Sequence, residues 1–200
     1  MIEKNGERNM FKKLQEDILT CRLCRKRFGH EPQPVVFGHA DAPIMQISQA
    51  PSLTVHETHK PFNDLSGRKL RNDWYHISDE VFYNEDNFYI TSIAHCYPGK
   101  SKNGGDRLPP KCCADKWLKK EMEYVHNEIY ILIGGKAAEY LFPGENFNDL
   151  IFNQNTLNGK PAFVLPHPSP LNIKWFKDNP DYLNNRIHEI RKVVHEVLNL

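Results

Sequence analysis

Residues 129–142, IYILIGGKAAEYLF, decide the fold of this chain. The apolar run Ile129–Ile133 shows no alternation with polar residues, so it predicts a strand that is covered on both faces. Two glycines follow the run directly, and the segment from Gly134 to Phe142 then predicts a helix. A buried strand that passes directly into a helix is the repeating unit of a parallel α/β fold.

Three other apolar segments predict strands of the same kind, namely Ile44–Ser48, Phe88–Ala94 and Ala162–Leu165. Helical patterns lie between them: RNMFKKLQEDILTC (8–21), SGRKLRNDW (66–74) with Ser66 as its cap, CADKWLKKEMEYV (113–125), and a last helix that opens at Asn179-Pro180. We therefore predict a single domain, residues 1–200, with a three-layer α/β/α sandwich around a four-stranded, mostly parallel sheet.

Composition excludes several classes of protein. The formal net charge is +1, which excludes a histone-like polycation but allows a local basic patch for nucleic acid. No apolar run reaches the roughly 18 residues of a membrane span, and the N-terminus, MIEKNGERNMFKK, is too polar for a secretory signal. We expect a cytoplasmic monomer with no membrane partner, in which the five cysteines are ligands or thiols rather than disulfides.

Distinctive residues follow the carboxyl ends of the predicted strands, where α/β folds bind their ligands. Residues 49–52 (QAPS), 95–96 (HC), 134–135 (GG) and 167–170 (HPSP) occupy these positions. The prolines on both sides of Ser169 restrict the backbone and remove amide donors, so His167 stands on a stiff loop. The sequence thus predicts an active site at this edge of the sheet.

The cysteines form a pattern of their own. Cys21 and Cys24 make a CxxC pair, Cys96 ends the second strand, and Cys112 and Cys113 are adjacent. With Cys113 as the fourth member, the spacing is C-x2-C, a gap of 71, and C-x16-C. Four thiolates suit either a [4Fe–4S] cluster or structural zinc. The alternative is that Cys96 and one of the adjacent pair are small buried core residues.

Several motifs, taken in their order along the chain, resemble those of the uracil-DNA glycosylase superfamily. The resemblance is strongest to its iron–sulfur branch, family 4, and to a related bacterial group. SQAPS (48–52) resembles the first family motif, THKPFNDLSG (58–67) resembles the second, and HPSP (167–170) matches a third outright. The resemblance extends from about residue 14 to residue 198.

This resemblance implies a monofunctional DNA glycosylase of the bacterial cytoplasm, which hydrolyses the N-glycosidic bond of uracil or another deaminated base. Its partner is then DNA that contains a damaged base. The family's cluster cysteines resemble Cys21, Cys24, Cys96 and one of the adjacent pair, and the phrase CADKW favours Cys113. The implied cofactor is a [4Fe–4S] cluster, with zinc as the alternative.

Several of these residues have the chemistry that the reaction needs. A rigidly held His167 can stabilise negative charge on the departing base, and Phe62 either stacks on a flipped-out base or packs in the core. The candidates that handle water are Gln49, His56, Glu57 and Asp64. Further base contacts are predicted for Ala50, Pro51, Asn63, Ser92 and Ser169, and DNA contacts for Lys100, Lys102, Arg107, Leu171 and Lys174.

Four positions depart from the family 4 pattern. Val55 stands where family 4 has a glutamate thought to handle the attacking water, and Ser92 where it has an asparagine that reads uracil. Gln49 and Ser52 replace the acidic and glycine residues of the first motif. Two hypotheses follow: a glycosylase with a broader or shifted range of bases, or a non-catalytic nucleic-acid-binding iron–sulfur protein.

Overall fold

One five-stranded sheet, in the order β2-β1-β3-β5-β4, forms the centre of the computed structural model, which describes residues 2–102 and 104–200. Four strands run parallel to their neighbours, as predicted. The fifth, β4, is antiparallel to β5. The strands are β1 (Ile44–Ser48), β2 (Phe88–Ser92), β3 (Ile129–Ile133), β4 (Asn155–Leu157) and β5 (Lys160–Leu165).

The sheet therefore has one strand more than the four predicted. Strand β4 has only three residues, is partly exposed and contains no apolar run, so it lacks the signal of a buried strand. It pairs with β5 across a tight turn in which Asn158 and Gly159 both have positive φ, 49° and 75°. This hairpin adds an antiparallel edge to a sheet that is otherwise parallel.

Helices flank the sheet and account for its burial. Every residue of β1, β2 and β3 is buried, as expected for strands that are covered on both faces. In the described residues the helices are α1 (Ile2–Leu19), α2 (Arg25–Phe28), α3 (Leu53–Thr58), α4 (65–75), α5 (Asp79–Phe82), α6 (111–124), α7 (Gly135–Leu141), α8 (Phe147–Phe152), α9 (Ile173–Asp178) and α10 (182–198).

One predicted helix cap was misplaced. Asp64, not Ser66, caps α4, because its carboxylate accepts the Gly67 amide at 2.9 Å. The start of α10 agrees with the prediction at Asn179-Pro180 to within two residues, because the Pro180 carbonyl accepts the amide of Asn184 at 3.2 Å. The change of cap does not alter which strands α4 connects. None of the helices in the described ranges is long and apolar enough to cross a membrane.

Candidate active site and cysteine cluster

A pocket of about 270 Å³ opens where β1, β2 and β5 end. Ser48 and Ser92 are register partners at the ends of β1 and β2, and their hydroxyl oxygens lie 2.8 Å apart in a buried hydrogen bond. The loops after β1 and β5 and the segment before α4 complete the pocket. The structure brings eight predicted site residues to this pocket: Gln49, Ala50, Pro51, Phe62, Asp64, Ser92, His167 and Ser169.

The hydrogen bonds of His167 select one tautomer of its ring. The amide of Ser169 donates to Nδ1 of His167 at 3.1 Å, so Nδ1 is unprotonated and the proton of the neutral ring lies on Nε2. Desolvation lowers the pKa of His167, and the carboxylate of Asp64 only partly opposes this effect. The lowered pKa favours the neutral ring at pH 7, although the residue as a whole is exposed at the pocket. It presents an N–H donor.

The loop that carries His167 is internally braced. The side-chain amide of Asn172 donates to the His167 carbonyl at 3.2 Å, and the Leu171 amide donates to the Ser169 hydroxyl at 3.2 Å. Gly134, at the end of β3, has φ 87°, and a Cβ there would lie 3.5 Å from the His167 ring. The ring thus lies against the backbone of the neighbouring strand end.

Asp64 has both a capping role and a place in the pocket. One carboxylate oxygen caps α4 through Gly67, and the other accepts the hydroxyl of Ser52 at 3.1 Å. Ser52 in turn caps α3 by accepting the amide of Val55 at 3.4 Å. The carboxylate therefore ties the two helix starts together at the pocket wall, where its charge acts on His167.

Two predicted residues of the same region lie outside the pocket lining. Asn63 is exposed beside Asp64. His56 lies on α3, against the rings of His30 and Tyr97 at centroid distances of 5.3 and 5.9 Å. Desolvation, followed by the charge of His30, lowers the pKa of His56, and its Nδ1 is buried without a partner among the described residues.

Asp106 is a pocket residue that sequence reasoning missed. It follows the glycine pair of the loop that was predicted to bind DNA, and it accepts Lys100 at 2.8 Å and the Tyr97 hydroxyl at 3.3 Å. Arg107 donates to the carbonyls of Lys100 and Phe28 at 2.9 and 3.1 Å. Lys100 and Arg107 therefore shape this loop through contacts within the protein.

The other predicted DNA contacts are exposed. Leu171 is 93% exposed on the loop after His167, which is unusual for a large apolar side chain. Lys102 is exposed, and Lys174 is exposed with its amine 2.7 Å from Asp178. Leu171 and Lys102 are accessible to a ligand at the surface, whereas Lys174 is accessible but paired with Asp178.

Cysteines from three distant segments meet at a second, narrow cavity of about 10 Å³. Cys21, Cys24, Cys96 and Cys113 all line this cavity, together with apolar side chains such as Phe28 and Trp117. Desolvation and then the neighbouring thiols raise the pKa of Cys96. A cavity of this size holds at most one water. The four converging thiols, and not an open volume, therefore identify this region as a candidate metal site.

The adjacent cysteines differ in their environment. Cys113 is buried and lines the cavity, whereas Cys112 is exposed and does not. Cys112 nevertheless lies beside Cys24 and, after desolvation, helps to raise the pKa of Cys24 to about 11. In the residues that the structure describes, no three His, Cys, Asp or Glu side chains are arranged to hold a single metal ion.

A buried polar network, also missed from the sequence, connects Cys113 to the pocket. Nε2 of His95 lies 2.9 Å from Glu121, and the His95 amide donates to the Cys113 sulfur at 3.4 Å. Desolvation by burial lowers the pKa of His95, but the Glu121 carboxylate and the Cys113 sulfur together outweigh this effect and raise that pKa to about 10. Thr91, which lines the pocket, donates its buried hydroxyl to Glu121 at 3.1 Å. Glu121 stands on the apolar face of α6, and an acidic residue at such a position is the feature of the sequence that indicates a buried polar network.

The fold and the pocket define a class of α/β protein in which the candidate ligand site lies where parallel strands end, and here a histidine lines that site. The family model of the uracil DNA glycosylase superfamily matches residues 35–191. The chain belongs to this superfamily, whose members are generally DNA glycosylases. The match includes the pocket, Cys96 and Cys113, and it begins after the CxxC pair.

Proposed function

We propose that this protein is a monofunctional DNA glycosylase that hydrolyses the N-glycosidic bond of uracil or another deaminated base in DNA. The observation that carries the proposal is the neutral His167, whose Nε2–H is available in a pocket at the strand ends. As the C1′–N bond breaks, its electron pair leaves with the base. A preorganised donor stabilises the resulting anion at a base carbonyl oxygen.

Phe62 supports the assignment of the pocket to a base. Its side chain is half-buried and lines the pocket together with Asp64 and His167. A pocket of about 270 Å³ is at the small end of ligand-binding cavities, so it suits one base rather than a large cofactor. The base enters by rotating out of the DNA stack, and the Phe62 ring receives its face.

Among the candidate residues, we assign the positioning and deprotonation of the attacking water to Asp64. Asp64 lines the pocket, whereas His56 lies outside the lining. Water adds through its oxygen to C1′ as the base departs, and its proton passes to the Asp64 carboxylate or to solvent. An oxocarbenium-like centre needs little help from a base, so a well-placed carboxylate suffices. Gln49 also lines the pocket and offers an amide that orients the same water.

The range of bases follows from the pocket floor. The hydroxyls of Ser48 and Ser92 bind each other, and a serine has no amide, so Ser92 cannot pair with two edge atoms of uracil as an asparagine at this position would. Sites that lack a polar reader discriminate less. We therefore propose a broader or shifted range that includes uracil and extends to hypoxanthine or xanthine.

DNA binding is assigned to the exposed loops around the pocket. Leu171, at the rim beside the histidine loop, fits the role of a wedge that fills the space left by the flipped base. Lys102 and Lys174 supply exposed positive charge for phosphates.

The four cavity thiols suit a [4Fe–4S] cluster, with zinc as the alternative, because the donor set is all sulfur and the surroundings are apolar. Cys21, Cys24, Cys96 and Cys113 would hold the group. Its contribution when bound is structural, since it would join the N-terminal segment and α6 to the end of β2. The His95 amide that donates to Cys113 supports this residue as the fourth ligand.

The test is incubation with oligonucleotides that carry a single uracil, hypoxanthine or xanthine, followed by alkaline cleavage of the abasic site. We expect strand scission that depends on His167, with single-stranded or mismatched sites reacting fastest, because flipping is cheapest there. Binding to these oligonucleotides without scission of any of them would instead support the non-catalytic hypothesis. The buried, apolar Val55 at the position of the family 4 glutamate favours that alternative.

A further inference from the structure

We infer that Arg71 and Tyr83 are positioning residues that hold the Phe62 ring in its place in the pocket. The inference rests on the proposed function, because it concerns the surface that receives the base. Phe62 has φ 52°, in the left-handed region that a bulky residue with a Cβ rarely adopts. Such conformations persist only where the surroundings enforce them, and they concentrate at ligand sites.

Two hydrogen-bond donors fix the backbone of Phe62. Its carbonyl accepts Nη1 of Arg71 at 2.9 Å and the hydroxyl of Tyr83 at 3.3 Å. The same hydroxyl lies 3.1 Å from the carbonyl of Pro61. These contacts hold both the peptide that precedes Phe62 and the peptide that follows it, and together they constrain φ.

Arg71 is itself immobilised. Its side chain is only 7% exposed, and its Nε donates to Asp79 at 2.6 Å. The guanidinium lies 5.2 and 5.0 Å from the ring centroids of Phe82 and Tyr83. A planar guanidinium that binds an acid, a carbonyl and two aromatic faces has little freedom. It therefore serves as a rigid support for the Phe62 carbonyl.

Gly67 adds a close backbone contact to the support of Phe62. A Cβ at Gly67 would lie 1.7 Å from the carbonyl oxygen of Phe62 and 2.5 Å from its carbonyl carbon, so only glycine permits this approach. The Gly67 amide also binds the carboxylate of Asp64. Phe62 and Asp64 are consequently held in one rigid turn at the pocket that His167 also lines.

Because Arg71 and Tyr83 support the Phe62 backbone, substituting either residue should have a distinct kinetic effect. Phosphate contacts dominate DNA affinity, so loosening the turn leaves binding intact. Misplacing the stacking ring by about an ångström lowers the rate of the chemical step, by up to about 10²-fold. The effect therefore falls on kcat rather than on KM.

The test uses Arg71→Lys, which keeps the charge but cannot reproduce the planar fork, and Tyr83→Phe, which removes only the hydroxyl. We expect single-turnover cleavage of the uracil oligonucleotide to fall about 10- to 100-fold in Arg71→Lys and about 10-fold in Tyr83→Phe. Affinity for abasic DNA stays within about twofold of wild type. Arg68→Lys, an exposed position on the same helix, is the matched control and keeps the wild-type rate.

A double-mutant comparison distinguishes positioning from a general structural role. In a Phe62→Ala background, Arg71→Lys should lower thermal stability as before but reduce the cleavage rate little further, because the ring is gone. Wild-type cleavage rates in both single variants would overturn the inference. A full additional rate loss in the Phe62→Ala background would overturn it as well.

If the wild-type protein cleaves none of the three bases, the proposed function fails, and the conformation of Phe62 can still be tested by NMR. In 15N-labelled protein, the HN–Hα coupling of Phe62 reports on its φ, and the amide exchange of Phe62 reports how often the turn opens. We expect both to change in the Arg71→Lys/Tyr83→Phe double variant. Unchanged Phe62 signals in that variant would refute the role of the two donors.

Discussion

Replacing Asp64 by two different residues separates its structural role from its chemical one. Asn retains an oxygen for the Gly67 amide, and Asn and Asp cap helices about equally well, so Asp64→Asn should change the free energy of unfolding by less than about 0.5 kcal/mol. Ala loses the cap, worth about 1 kcal/mol, and the hydrogen bond from Ser52, worth about 1 kcal/mol. Asp64→Ala should therefore lower Tm by about 4–8 °C, since a chain of this length loses roughly 2–4 °C per kcal/mol.

The two variants should nevertheless lose activity together. Both remove the carboxylate from the pocket, and we expect single-turnover cleavage of the uracil oligonucleotide to fall about 10²-fold, the low end for acid–base assistance. Protonation of His167 cannot account for this loss. The Asp64 charge raises the pKa of His167, so its removal lowers that pKa further and leaves the ring neutral.

Thermal unfolding, single-turnover cleavage and NMR titration of His167 are the three measurements. Gln49→Ala is a useful comparison, because Gln49 lines the same pocket and caps no helix. An Asp64→Asn protein that cleaves at the wild-type rate would reduce Asp64 to a helix cap. A Tm loss in Asp64→Asn equal to that in Asp64→Ala would refute the capping calculation.

Three further predictions concern the donor, the thiols and the pocket floor. His167→Ala should lower single-turnover cleavage about 10²- to 10³-fold, the cost of one preorganised donor, with DNA affinity nearly unchanged; a normal rate with weak binding would make His167 a DNA contact. Anaerobically purified protein should be brown with broad absorbance at about 400 nm, and Cys113→Ser should abolish the colour while Cys112→Ser keeps it. Colourless protein with stoichiometric zinc would show that the four thiols bind zinc instead of iron, and metal-free protein would contradict a metal site of either kind. Ser92→Asn should narrow the range of cleaved bases toward uracil, and the base panel measures this; strict uracil specificity in wild type, unaltered in the variant, would contradict the role given to Ser92.

The positions of the main strands could be read from the sequence, because burial on both faces leaves an uninterrupted apolar run. Ile129–Ile133 is a strand with the predicted bounds, and the first strand also has its predicted bounds. The placement of His167 and of the loop from Gln49 to Ser52 at one edge follows from parallel topology, since the carboxyl ends of parallel strands lie together. Phe62 and Asp64 do not follow a strand, and only the resemblance of THKPFNDLSG to a family motif predicts their place in the pocket. Helix caps were less accurate, because Asp64 and Ser66 are both good caps and only the backbone geometry selects one.

The remaining features depend on contacts between residues far apart in the chain, which leave no local pattern. No periodicity indicates that Arg71 reaches the Phe62 carbonyl, that Asp106 enters the pocket, or that Glu121 pairs with His95 beneath it. A charged residue on an apolar helix face indicates that it has a buried partner, but the sequence does not identify which residue that partner is. The sequence by itself determined the parallel sheet and the edge that carries the site, because both follow from the order of local elements. Only the tertiary structure decided which side chains support the site, because a buried charge or a strained backbone is stable only among the particular neighbours that folding brings to it.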